Sequence, residues 1–318
     1  MKKRLTWVDI SKGMGICLMY YGHIGSPEII NSLIYAFHMP LFFFLSGFVF
    51  SVQLPFFEFV KKKGKNLLKP FFIFGIVIIF INYFLNLFLG ENYDFISSIY
   101  YMLLQQAGTP SRLWFIPCIF VCEIICYFII RNKKGLIYFF IFNIFAWINV
   151  IIFKINIPWY IDTAIISSFF MLFGYKLKES KINLLLDKYQ LVILGILFVL
   201  GVVVNRYFGR VDIALNQYAN PFLFYANALL GIVLCINISM KIDSKILKYV
   251  GQNSLFFMCL NSIAIKIISQ SLFIISDFLI LNSILSNLLV LLLSLIFVFC
   301  CSLLLHKYFN KIMKYIGF

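Results

Sequence analysis

Long, nearly uninterrupted apolar runs dominate the chain, separated by short polar connections. Windows of roughly 20 apolar residues fall at 7–25, 33–52, 70–89, 113–130, 135–153, 159–175, 189–205, 219–239, 253–275 and 283–305. A helix of that length spans a bilayer, whereas a buried helix of a soluble domain is shorter. The pattern predicts an all-α, polytopic membrane protein with about ten transmembrane helices. Residues 1–318 read as a single domain with no appended soluble domain. Two longer connections stand out. "GENYDFISSIYYMLLQQAGTPSR" (90–112) has room for an interfacial or re-entrant helix, and "RYFGRVDIALNQY" (206–218) is polar and charged.

Composition and charge add orientation. The chain is 63% hydrophobic and 12% charged, with a mean hydropathy of +0.97. Soluble domains average about 45–50% apolar and about 25% charged residues. Alternate connections (1–6, 61–69, 131–134, 176–181, 241–248 and 306–318), with Lys12 and Lys188, hold 22 of the 27 Lys and Arg residues. The opposite side holds Arg112, Lys154, Arg206 and Arg210. By the positive-inside rule both termini are expected to be cytoplasmic, in the cell (plasma or inner) membrane. The net charge of +15 is then a matter of topology and anionic lipid, with the bilayer and no nucleic acid as partner. The basic "MKKR" before an apolar stretch imitates a signal peptide, but Asp9 and Lys12 interrupt it and further spans follow, so a retained first helix is expected. All eight cysteines lie in apolar runs; Cys118, Cys122 and Cys126 share one helix face and read as packing residues, with no metal site expected.

The first span is where chemistry enters. "WVDISKGMGICLMYYGH" (7–23) carries Asp9, Lys12 and His23, and ionisable groups at membrane depth are costly. On a helix Lys12 and His23 share nearly one azimuth, roughly 16 Å apart along the axis, with Asp9 one turn before Lys12. The three form a polar stripe that should face the bundle interior or a watery cavity. Lys12 has two readings: it snorkels or pairs with Asp9 at the i,i+3 spacing, or it serves a site. His23 also has two, an interior hydrogen-bonding group or a general base. The next span, "FHMPLFFFLSGF" (37–48), brings His38 to the same outer end, where the two histidines are placed to share a pocket. Pro40 is expected in the first turns of that helix, where its missing N–H costs little. No serine–acid partnership accompanies them, and a transferase whose histidine deprotonates an incoming hydroxyl needs none.

These residues carry a resemblance. "WVDISKGMGICLMYYGH" and "IYAFHMPLFFFLSGFVF" resemble the acyltransferase-3 family of integral membrane O-acyltransferases, most closely its fucose 4-O-acetylase-like, polysaccharide-modifying branch. "LWFIPCIFVCEI", "IDTAIISSFFMLFGYKL", "NPFLFYANALLGI" and "VGQNSLFFMCLN" follow in the same order. The resemblance implies acetyl transfer from cytoplasmic acetyl-CoA to a sugar hydroxyl of an envelope polysaccharide or its lipid-linked precursor. It assigns His23 as catalytic base and Lys12 to donor or active-site positioning, with Asp9 paired to Lys12. Lys63 and Lys65 of the 61–69 segment would attract the donor's phosphates. His38, Arg112, Trp114 and Asn261 are candidates for acceptor contact or oxyanion stabilisation. The sequence departs from the family pattern twice. Asn66 stands where a second basic residue is usual, and Asn261 where a histidine is usual after Gly251, Asn253 and Ser254. An asparagine hydrogen-bonds but cannot act as a base. Intramembrane polar groups on many helices also suit a transporter or flippase of an envelope precursor, the alternative reading.

Overall fold

The computed structural model describes residues 5–106, 113–180, 185–275 and 284–308. In chain order its helices are α1 (Thr6–His23), α2 (Glu28–Tyr35), α3 (His38–Val49), α4 (Phe56–Lys63), α5 (Lys69–Leu89), α6 (Phe95–Leu104) and α7 (Phe115–Arg131). There follow α8 (Gly135–Ile148), α9 (Ile161–Ser180), α10 (Lys188–Arg206), α11 (Pro221–Lys241), α12 (Lys245–Gln252), α13 (Ser254–Ile275) and α14 (Ile284–Tyr308). A two-residue antiparallel ribbon, β1 (Val211–Asp212) with β2 (Gln217–Tyr218), interrupts this helical chain between α10 and α11.

Among the described residues, seven helical segments are long and apolar enough to cross a membrane: Glu28–Val49, Phe56–Phe88, Gly135–Phe153, Lys188–Arg206, Pro221–Lys241, Ser254–Leu272 and Leu285–Tyr308. The other three expected windows are helices too, but of another kind. α1 carries Asp9, Lys12 and His23, α9 carries Asp162 and two lysines, and α7 is 17 residues long. Several of their polar side chains turn inward, with Asp9, Glu123, Asp162, Ser167 and Ser168 all buried.

Two boundaries differ from expectation, each for a local reason. The 33–52 window breaks between α2 and α3, because Pro40 has no N–H to continue the ladder of the preceding turn. Pro40 is the third residue of α3, in its first turn as expected. The 61–69 segment, expected as a connection, is helical throughout. A π-turn over Gly64–Leu68 joins α4 to α5 and absorbs Gly64 and Pro70 without ending the helix. The 90–112 connection does hold a short apolar helix, α6, capped by the Asp94 carboxylate accepting from the Ser97 amide at 3.0 Å.

The described residues divide into two compact units. One comprises residues of 1–48, 174–213 and 217–309; the other residues of 49–173 and 214–216. In the first, α1 packs against α2, α11, α12, α13 and α14. Its contact with α12 is backbone on backbone. A Cβ at Gly13 would run into the Leu247 carbonyl oxygen, and a Cβ at Gly251 into that of Asp9. Only glycine permits so close an approach at both points. Farther along, the Ser11 hydroxyl donates to Ser239 Oγ at 2.7 Å and the Tyr20 hydroxyl to the Phe257 carbonyl at 2.8 Å. In the second unit α7 packs on α8, and its cysteine face is seated on neighbouring chain. Cys118, Cys122 and Cys126 meet the Tyr160 carbonyl, Met171 Sδ and the Ser168 carbonyl at 3.6–3.9 Å. That is the packing role read from their spacing.

Candidate active site

The polar stripe of α1 is graded rather than uniformly interior. Asp9 is buried, Lys12 half-buried and His23 exposed in the last helical turn. Burial of Asp9 is made tolerable by α12, which the Gly13–Gly251 contact brings alongside. Gln252 Nε2 donates to Asp9 Oδ2 at 3.2 Å. Gln252 is therefore an Asp9 partner that the sequence did not suggest. At the other end His23 sits in the last turn of α1 with its side chain open.

His23 and His38 come together around Tyr35. The Tyr35 ring meets His23 edge-on at 6.5 Å between centroids and His38 at 5.1 Å. His38 is buried, and its Nδ1 donates to the Ile34 carbonyl at 2.8 Å. That bond fixes the tautomer of a neutral ring and leaves Nε2 as acceptor. So the shared location is as expected, but the roles separate: His38 is held inside and His23 is open.

The same tyrosine carries a cation that sequence reasoning passed over. The Arg210 guanidinium lies 5.3 Å above the Tyr35 ring, and Nη2 donates to Asp212 Oδ2 at 2.8 Å. Arg210 is 64% exposed while Asp212 is 11% exposed, so the carboxylate is the buried anchor and the guanidinium the open face. A second pair, Arg206–Glu28 at 2.8 Å, ties the end of α10 to the start of α2. The ribbon β1–β2 explains the placement, since Asp212 sits in β1, which packs on α2. The signal was present in "RYFGRVDIALNQY", a charged connection between apolar runs, but its target 175 residues away was not.

Asn261 also belongs to this unit. It is 5% exposed, and its Nδ2 finds no hydrogen-bond partner among the described residues. It lies one helical turn beyond Phe257, whose carbonyl accepts from Tyr20 of α1. A buried amide donor left without a partner marks a place for a ligand or water.

The remaining described candidates, Lys63, Lys65 and Trp114, lie in the second unit. Lys63 does not project as a free phosphate ligand: its Nζ pairs with Glu123 Oε1 at 2.5 Å, between the rings of Phe50 and Phe59. Its stem lies on the inward side of α4, and a buried acid at that position captures the ammonium. Glu123 was visible as a lone acid in an apolar run, yet only the fold supplies its lysine. Lys65 is exposed. Trp114 is half-buried at the start of α7, its ring 5.3 Å from that of Tyr160. Arg112 lies outside the described residues.

The model of the Acyl_transf_3 acyltransferase domain matches residues 5–307. No curated protein and no solved structure matches the chain. With nearly its whole length matched, and with several helices apolar enough to cross a membrane, the chain belongs to the acyltransferase-3 family and is a membrane acyltransferase.

Proposed function

We propose that this protein is an O-acetyltransferase of the fucose 4-O-acetylase-like branch, moving an acetyl group from cytoplasmic acetyl-CoA to a sugar hydroxyl. The acceptor is an envelope polysaccharide or its lipid-linked precursor at the cell membrane. The observation that carries the reading is the open His23 imidazole at the end of a largely buried helix, grouped with Tyr35 and Arg210.

In this mechanism His23 takes the proton of the sugar hydroxyl as its oxygen attacks the thioester carbonyl carbon. The carbon–sulfur bond then breaks, the acetyl ester forms, and the His23 imidazolium returns its proton to the departing thiolate. The negative charge that develops on the carbonyl oxygen needs donors already in place. Arg210 supplies a fixed cation, because Asp212 and the Tyr35 ring hold the guanidinium. Asn261 supplies an amide donor. Tyr35 and His38 set the orientation of the His23 ring. Lys12 attracts the donor's phosphates, Asp9 with Gln252 fixes the base of α1, and Lys63 acts through Glu123 to order the helix that bears Lys65. Arg112 and Trp114 are proposed acceptor contacts.

The test supplies purified protein with acetyl-labelled CoA and envelope polysaccharide and looks for labelled ester by mass spectrometry. Label in the polysaccharide with wild-type protein, and none with His23→Ala, is the expected result. Movement of a lipid-linked sugar across vesicles without label transfer would favour the transporter reading instead.

A further inference from the structure

α7 and α8 form a hairpin inside the second unit, closed by a turn of three residues, Asn132–Lys134. Asn132 Oδ1 accepts from the Lys134 amide at 2.9 Å. Gly135 then passes so close to the Ile129 carbonyl that any Cβ there would collide. The two helices leave a furrow of about 340 Å³ lined by Ile125, Phe128 and Ile129 on one side and Tyr138 and Phe142 on the other. At the turn this furrow meets a more open hollow of about 550 Å³, with Phe128 and Asn132 common to both. Arg131, Lys133 and Lys134 edge the hollow.

One of those cations is held in place. Arg131 Nη1 donates to the Tyr127 hydroxyl at 2.7 Å and to the Leu54 carbonyl at 3.3 Å, with the guanidinium 5.5 Å over the Tyr127 ring. The sequence of α7, α8 and their turn contains a single acid, Glu123, which is paired with Lys63. No carboxylate of the hairpin is therefore left to neutralise the three cations.

We propose that this hairpin binds one anionic phospholipid, with an acyl chain in the furrow and the phosphate at Arg131, Lys133 and Lys134. A basic hollow at the end of a membrane helix suits an anionic headgroup, and the planar guanidinium suits its phosphate oxygens. A soluble anion makes no use of the adjoining apolar furrow. A zwitterionic lipid brings an ammonium group, quaternary in phosphatidylcholine, among three cations. The site is independent of the acetyl-transfer reading.

The experiment is native mass spectrometry of the full chain in detergent, titrated separately with dioleoyl phosphatidylglycerol and dioleoyl phosphatidylcholine. Retention of one phosphatidylglycerol, at least about tenfold over phosphatidylcholine, is expected. Lys133→Ala with Lys134→Ala should abolish that preference, whereas Lys61→Ala with Lys62→Ala, an equal loss of charge on α4, should leave it. Ile125→Trp, which fills the furrow and keeps every charge, should also expel the lipid. Equal retention of the two lipids, or equal loss from the two double variants, would reduce the effect to general charge attraction and overturn the proposal. Displacement of the lipid by acetyl-CoA would give the cations to a soluble anion and overturn it equally.

Discussion

Asp212 and Glu123 are both buried acids in an apolar protein, and each meets one cation, but the cations face different surroundings. Lys63 is 26% exposed and flanked by Phe50 and Phe59, so its pair with Glu123 closes on itself inside the second unit. Arg210 is 64% exposed and lies over a tyrosine that touches two histidines. A buried acid thus fastens a helix in one place and aims a charge in the other. Which of these a pair does depends on the open side of its cation, not on the presence of the pair.

The largest effect is expected at His23. If Arg210–Asp212 belongs to the chemistry, His23→Ala should lower acetyl transfer by about a thousandfold while the protein accumulates and unfolds normally in a thermal-denaturation assay. Activity within tenfold of wild type would remove the base assignment and leave Arg210 without a reaction to serve. Next in size, Lys63→Met strands a buried carboxylate and should destabilise the fold by about 3 kcal/mol, read as a lower midpoint of thermal unfolding in detergent. Adding Glu123→Leu should recover most of that loss, since an apolar replacement of the whole pair is often neutral.

Arg210→Ala should weigh more on rate than on stability, unlike Lys63→Met. Transfer is expected to fall about a hundredfold through kcat, with the thermal midpoint lowered less than by Lys63→Met because the Arg210 side is open to solvent, and Arg210→Lys should restore part of the rate. A fall in the thermal midpoint without a specific loss in kcat would make the two ion pairs equivalent and erase the distinction. The smallest effect is expected at the glycine contact. Gly251→Ala pushes α12 off the Asp9 carbonyl at a cost of about 2 kcal/mol, with transfer reduced because Gln252 withdraws from Asp9.

Much of the fold was legible in the apolar runs, because hydrocarbon demands long helices whose backbone groups bond internally. Pro40 marked its helix start in the same direct way. The lysine-rich 61–69 segment was misleading, since charge density resembles a connection while its lysines and leucines are good helix formers. The candidate site was legible only where it lies within one helix. Helical periodicity aligned Asp9, Lys12 and His23, but said nothing of how far each reaches the surface. Tyr35 looked like one aromatic among many, and Arg210 and Asp212 reach it only through a short ribbon far along the chain. Glu123 was conspicuous as a lone acid, and its effect on Lys63 depended on packing that no local pattern contains.

The reciprocal contact of Gly13 and Gly251 has a consequence for the interval between Lys12 and His23. Each glycine faces the other helix's carbonyl oxygen, so α1 can neither rotate nor slip by a residue against α12 without collision. Lys12 and His23 sit on that one pinned rod, roughly 16 Å apart along its axis. Rearrangement elsewhere in the protein leaves that interval unchanged. If, as proposed, the donor's phosphates are held at Lys12 and its thioester reacts at His23, that interval gauges the arm between them, which is common to every acyl-CoA, and leaves the length of the acyl group to be set elsewhere.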